Sequence, residues 1–244
     1  CPAPDPGYVL VIDQTRDDAA IRHAGASAAS FPAMLAAART AFPDQRILIR
    51  THPETRMGLR PGHFGPADTD AQVRLLTDPI SPNRLLASAA AVFTVSSQMG
   101  FEAILTGHRP MVFGQPFYAS WGLTRDVNPL ARRTRVLTRT QLFAGAMILA
   151  PVWYDPCRDR LCSFEDAVDQ LEAEARVWRQ DRLGHVATGM RLWKRARLQA
   201  VFGSIKPLIF SESSETAGKL ALEKGRSVLV WAAKERASLQ ATGV

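Results

Sequence analysis

Short apolar runs alternate with amphipathic stretches through the first half of the chain. Tyr8-Val-Leu-Val-Ile-Asp13 follows turn residues at 4–7 and is apolar at consecutive positions, the pattern of a parallel strand covered on both faces. Residues 31–42 are rich in Ala, Leu and Met and read as a helix that Pro43-Asp44 stops. Arg46-Ile-Leu-Ile-Arg50, Ala91-Val-Phe-Thr-Val95 and Pro110-Met-Val-Phe113 repeat the strand pattern, with helices expected at 82–89 and 100–105 and a helical stretch at 71–76. Strand and helix joined by short connections predict a doubly wound α/β fold with a parallel sheet. Beyond Tyr118 the pattern loosens into an Arg-rich loop at 125–139, a helix near 141–149, another at 163–179, and a basic amphipathic stretch at 186–202. After Lys206-Pro207 it restarts as strand 208–210, helix 214–223 and strand 226–231, too little for a complete domain and so the opening of another α/β unit.

In parallel sheets of this kind ligands sit beyond the carboxyl ends of the strands. The residues there are polar and small: 13–18 after the first strand, 51–54 after the second and Ser96-Ser97 after the third. All three are expected to converge on one crevice.

Composition narrows the function without naming it. The chain has 244 residues, 46% of them hydrophobic, and its 30 Lys+Arg against 23 Asp+Glu give 30 − 23 = +7. These are globular proportions. The longest largely apolar stretch, 85–95, is shorter than the roughly 20 residues a membrane-spanning helix needs. The N-terminus lacks a signal-peptide pattern, so an excised piece of a cytosolic protein is expected. Cys1, Cys157 and Cys162 suit neither a disulfide framework nor a paired zinc site. The charge is uneven: seven basic residues and one acid, Asp181, lie between Arg176 and Arg197. That cluster suits anionic lipid, through a helix carrying Leu192, Trp193, Leu198 and Phe202, or a crossover helix packing on another part of a larger protein.

The dinucleotide, P-loop, zinc-protease and α/β-hydrolase signatures are all missing. What remains is a set of loops. Thr94-Val-Ser-Ser-Gln-Met-Gly100 places hydroxyls and a glycine at a strand-to-helix junction, where free N–H groups favour an anion; helix capping is the alternative. His52 before Pro53 can donate to a phosphate oxygen or serve as a structural donor. The segment Asp13-Gln-Thr-Arg-Asp-Asp18 offers three carboxylates, any of which could act as nucleophile, base or turn residue. Phe117, Tyr118 and Trp121 supply aromatic surface for stacking or for a core turn, and Glu102 is a ribose partner or an exposed helix residue.

The motifs VIDQTRDDAAI (11–21), ILIRTHPE (47–54), TVSSQMGFEAIL (94–105) and FGQPFYASWGLT (113–124), in this order, resemble those of the capsule polysaccharide biosynthesis β-Kdo glycosyltransferases of Gram-negative bacteria. The resemblance covers about residues 8–180, and FGSIKPLIF (202–210) with SVLVWAAKE (227–235) is similar to the start of a second tandem module. It implies a GT-B architecture: 1–180 as the nucleotide-sugar-binding Rossmann-like half, 181–205 as a basic linker or crossover helix, and 206–244 as the beginning of a second module. It also implies a retaining, metal-independent transferase with no cofactor, using CMP-Kdo as donor to build the Kdo linker on a phosphatidylglycerol-type lipid. The partners so implied are a lipid-linked Kdo acceptor, the anionic surface of the inner membrane and the capsule export machinery, with no nucleic acid; the location is cytoplasmic and peripheral on the inner membrane. A non-catalytic basic module holding anionic polysaccharide or nucleic acid is the competing expectation.

By the same resemblance Gln14, Arg50, His52, Pro53, Ser96, Ser97, Gly100 and Glu102 bind the donor, and Phe117, Tyr118 and Trp121 line the substrate pocket. The family's first loop commonly reads DQTxGDASI, which aligns Asp18 with its second acid and makes it the candidate nucleophile. Asp17 stands where Gly is usual, Ala20 where Ser is usual and Arg50 where Lys is frequent, so the catalytic pair to be separated is Asp18 and Asp17.

Overall fold

The computed structural model describes residues 2–234; Cys1 and residues 235–244, the end of the expected second module, lie outside the described residues. The chain divides into two compact units, Cys1–Pro151 and Val152–Val244.

The first unit is a Rossmann-like α/β layer structure. Strands β1 (Tyr8–Ile12), β2 (Ile47–Arg50), β3 (Val73–Leu76), β4 (Ala89–Thr94), β5 (Met111–Val112) and β6 (Arg125–Asp126) form one parallel sheet in the order β3-β2-β1-β4-β5-β6. Helices α1 (Ala19–His23), α2 (Ser30–Ala41), α3 (Pro53–Arg56), α4 (Pro82–Ser88), α5 (Gln98–Leu105) and α6 (Arg139–Phe143) connect or follow the strands. All five residues of β1 are buried because the sheet is covered on both sides. Val9 and Val11 face a core that holds Phe31, Met34 and Ala38 of α2, whereas Tyr8, Leu10 and Ile12 face Leu85, Leu86 and Met99 of α4 and α5. Each such aliphatic side chain withdraws enough area from water to contribute about 1.5–3 kcal/mol. The central strand is therefore a fully buried platform for whatever follows Ile12.

The second unit opens with an antiparallel hairpin, β7 (Trp153–Asp155) and β8 (Arg160–Cys162), and helix α7 (Phe164–Asp181). Its sheet is parallel, with β9 (His185–Thr188) between β10 (Ile209–Ser211) and β11 (Ser227–Leu229). Helices α8 (Leu192–Phe202) and α9 (Ser214–Lys224) join these strands. No described helix is long and apolar enough to cross a membrane.

Three sequence expectations are corrected here. Residues 73–76 are an edge strand and not part of a helix: Val73 and Leu76 are buried, and pairing with the open edge of β2 outweighs local propensity. The expected linker 181–205 contains β9, the central strand of the second sheet, whose four residues are all buried. The second unit accordingly begins at Val152, and the expected boundary at 180 falls inside α7.

Candidate functional site

Strand order reverses between β1 and β4, and at such a switch point the loops that follow the two strands diverge and leave a crevice. Asp13 and Gln14 leave β1 there, Ser96 and Ser97 follow β4, and His52 follows β2 next door.

The first loop is held from beneath. Asp13 is buried, and its carboxylate accepts hydrogen bonds from the backbone N–H groups of Gln14 (2.9 Å), His63 (3.1 Å) and Phe64 (3.5 Å). Burial pushes its pKa up, and those three donors oppose the shift. A Cβ on Gly62 would lie 2.3 Å from Asp13 Oδ2, so only glycine lets the 62–64 loop close over the carboxylate. Sequence reasoning passed over Asp13 as a separate role; the Gly-rich loop opposite was its only signal.

Gln14 is 3% exposed, and its amide is held by neighbouring loops. Its Oε1 accepts from Ser96 N (3.0 Å), while its Nε2 donates to Ser96 Oγ (3.1 Å) and to Asp18 Oδ2 (3.3 Å). Gln14 thus bridges the Ser96 loop and Asp18 at the wall of a cavity that it also lines. Asp18 is the N-cap of α1, its Oδ1 accepting from Ala20 N (2.9 Å). One carboxylate oxygen is fixed by the helix and the other by Gln14. Asp17 has φ +62°, a left-handed conformation that glycine adopts freely and aspartate better than most residues, which explains the residue usual at this place.

Three adjoining cavities surround Asp18 and the strand ends. The one of about 450 Å³ is lined by Gln14, Asp18, His52, Ser96, Ser97 and Phe117, together with His23, Gln98 and Gln115, which sequence reasoning missed. A second, of about 170 Å³, shares His52, Ser97 and Gln98 with it and adds Arg50, Pro53 and Glu102. The third, of about 580 Å³, shares Asp18 with the first and contains Asp17 and His63. Gln98 was findable as the first helical residue after Ser97; His23 and Gln115 carried no local signal.

Each group at the shared wall has a defined hydrogen-bonding state. His52 caps α3 through Nδ1, which accepts from Glu54 N (3.2 Å), so the ring proton sits on Nε2 and is left for a ligand. Pro53, at the first helical position, removes a backbone N–H that has no acceptor there. Ser97 caps α5, its Oγ accepting from Met99 N (3.3 Å) and keeping its own proton to donate. Across the small cavity, Arg50 and Glu102 influence each other. Burial lowers the pKa of Arg50 and raises that of Glu102, and their opposite charges partly offset both shifts. Among the described residues, no group of three or more His, Cys, Asp or Glu side chains is placed to hold a metal ion.

Other candidates belong to the core. Tyr118 is fully buried, donates to Ser97 O (2.7 Å), and has its pKa pushed upward by burial. A Cβ on Gly100 would come within 2.3 Å of its hydroxyl oxygen, so glycine at this position leaves room for the tyrosine. Trp121 donates from Nε1 to Phe117 O (2.8 Å) and lies under Arg133, outside the three cavities. Of these three aromatic candidates, Phe117, 40% exposed, lines the crevice.

Residues 3–152 match the family described as capsule polysaccharide biosynthesis protein. The chain is 34% identical over 93% of its length to the capsule polysaccharide modification protein LipA of Neisseria meningitidis serogroup B, covering 33% of that protein. It is 35% identical over 71% of its length to the lipopolysaccharide-processing protein LpsZ of Rhizobium meliloti, covering 39% of it. The chain thus spans about a third of the length of these relatives. Among solved structures it resembles KpsC of Thermosulfurimonas dismutans described as a β-Kdo 2,4 transferase (TM-score 0.65, 36% identity, 69% of this chain and 53% of that one). It also resembles the KpsC described as a β-Kdo 2,7 transferase (TM-score 0.57, 26% identity, 71% and 55%). The family match over residues 3–152, which takes in the whole Asp18–His52–Ser97 region, shows that the chain belongs to the capsule polysaccharide biosynthesis protein family.

Proposed function

We propose that the chain is the donor-binding part of a retaining Kdo transferase that uses CMP-Kdo and builds a Kdo linker on a lipid-linked acceptor of phosphatidylglycerol type. The observation that carries this reading is that Asp18, His52 and Ser97, from three different strand ends, line one cavity. The CMP phosphate lies against His52 Nε2–H, the Ser97 hydroxyl and the N-terminus of α5, whose free N–H groups and dipole favour an anion. Glu102 and Arg50 flank the nucleoside side in the small cavity. No metal or cofactor takes part in this scheme.

Asp18 attacks the anomeric carbon of Kdo from the face opposite the phosphate. A carbon–oxygen bond to Asp18 forms as the bond to the phosphate oxygen breaks, and CMP leaves with the electron pair. The acceptor hydroxyl then attacks the same carbon, releases its proton to solvent and expels the Asp18 carboxylate. Two inversions return the original configuration. Asp18 is preferred to Asp17 because it lines both cavities and is held by two hydrogen bonds; Asp17 is exposed and lines only the larger one.

A peripheral position on the cytoplasmic face of the inner membrane, beside the capsule export machinery, fits a lipid-linked acceptor. The basic stretch contributes α8, which turns Leu192 (76% exposed), Trp193 (71%) and Val201 outward, while Leu198 and Phe202 are half-buried. In a chain extended to the length of the relatives, incubation with CMP-Kdo should give a covalent Kdo adduct on the peptide containing Asp18. An adduct on another residue, or transfer undiminished in Asp18→Asn, contradicts the scheme.

A further inference from the structure

Helix α7 of the second unit buries little of itself. A capping box between Ser163 and Asp166 starts it, and of its 18 residues only Ala167 and Asp181 are buried. Phe164, Val168, Leu171, Ala175 and Trp178 recur at intervals of four, three, four and three, the spacing of a seam between two helices. Val168 (44% exposed), Leu171 (60%) and Trp178 (53%) face solvent, while Phe164 and Ala175 are half-buried. An open apolar stripe of this kind marks an interaction surface. One flank of the stripe carries Ala167 and Asp181, the latter bonded to His185 of β9. The other carries Glu165, Glu172, Arg176 and Arg179 in that order, two acids and then two bases, all exposed. Arg176 and Glu172 pair within the helix at 3.5 Å, with both side chains more than half exposed and so able to share another partner.

We propose that α7 of a second copy of this chain covers the stripe, running antiparallel about a twofold axis at Ala173. A twofold contact must be complementary to itself. This face is: the axis sets Val168 beside the partner's Trp178 and Leu171 beside the partner's Ala175, a larger side chain against a smaller one in each layer. On the charged flank, Glu165 meets the partner's Arg179 and Glu172 the partner's Arg176. A parallel pair would set glutamate on glutamate and arginine on arginine, so the charges select the antiparallel one. This reversal of charge about the helix centre singles out a second copy, since no other occupant requires it. Two helices of this length make a contact at the small end of specific interfaces, so the association is reversible, in about the micromolar range.

Sedimentation equilibrium of the 244-residue chain across that range should show monomer and dimer, with the dimer weakened about tenfold or more by Leu171→Glu, which puts a charge in the seam. Two double variants test the charges: Glu165→Lys with Glu172→Lys, and Arg176→Glu with Arg179→Glu. Each alone should lose self-association by about tenfold or more, and mixing the two in equal amounts should restore the dimer. Thermal unfolding of both should match the wild type, because all four side chains are exposed. A monomer at every concentration, a dimer that tolerates either reversal, or a mixture that stays monomeric overturns the antiparallel contact. So does a dimer of the 244-residue chain that is lost in a chain extended to the length of the relatives, because the added segment then covers the stripe.

Discussion

Two polar clusters in this chain use the same residue types, and only one is open to a ligand. Asp18, His52 and Ser97 stand at the carboxyl ends of β1, β2 and β4. Asp181, His185 and Ser227 stand at the opposite end of the second sheet, where β9 and β11 begin. His185 is buried and both of its ring nitrogens are engaged, Nε2 with Asp181 Oδ1 (2.8 Å) and Nδ1 with Ser227 Oγ (2.5 Å). His52 spends one nitrogen on capping its helix and keeps the other for the cavity. An Asp-His-Ser chain in which both imidazole nitrogens are engaged ties the structure together. The same residues spread over three strand ends, each with a group to spare, make a site. Position along the strand, more than residue identity, decides which of the two is built.

The largest effect expected from breaking the open cluster is at Asp18. Asp18→Asn should lower transfer by about a thousandfold or more in the extended chain, with CMP affinity within about twofold, because the nucleophile is lost and the phosphate contacts stay. Steady-state rates and calorimetry read the two separately.

Beneath the site, Asp13→Ala leaves three backbone N–H groups without their acceptor and should cost about 2–3 kcal/mol in urea unfolding. Its pH dependence follows from the raised pKa. A carboxyl group whose folded pKa exceeds the unfolded one contributes its full stability below the unfolded pKa, and that contribution is lost as pH rises through the folded pKa. The stability advantage of the wild type over Asp13→Asn should therefore be greatest near pH 3.5 and shrink toward pH 7.

The closed cluster should respond in stability alone. His185→Ala should destabilise the second unit by about 1–3 kcal/mol through the unpaired Asp181, and leave CMP binding unchanged. A change in CMP affinity would mean that the second cluster communicates with the first. Smallest of all, Tyr118→Phe removes one hydrogen bond to Ser97 O and should weaken CMP by about twofold at most, through the set of the α5 N-terminus.

The strands that carry the site were legible because a both-faces-buried strand is apolar at consecutive positions; the residues just after 8–12, 47–50 and 89–94 then follow. The bridge that Gln14 makes to Ser96 and Asp18 and the burial of Tyr118 were not, since a polar or aromatic loop residue carries no mark of its partners in neighbouring loops. Strand β9 was hidden for another reason: four buried residues before a long basic segment are too few for periodicity to register. The position of Asp17 lies between these cases. The resemblance indicates only that glycine is usual there, and φ +62° is a backbone that glycine adopts freely.

The most direct test of a CMP site at the β1, β2 and β4 ends is calorimetric titration of the 244-residue chain with CMP, UMP and inorganic phosphate, repeated with His52→Ala. Binding of CMP well ahead of UMP and phosphate, weakened about tenfold or more by His52→Ala, is the predicted result. Equal binding of all three anions, or CMP binding indifferent to His52→Ala, would contradict it.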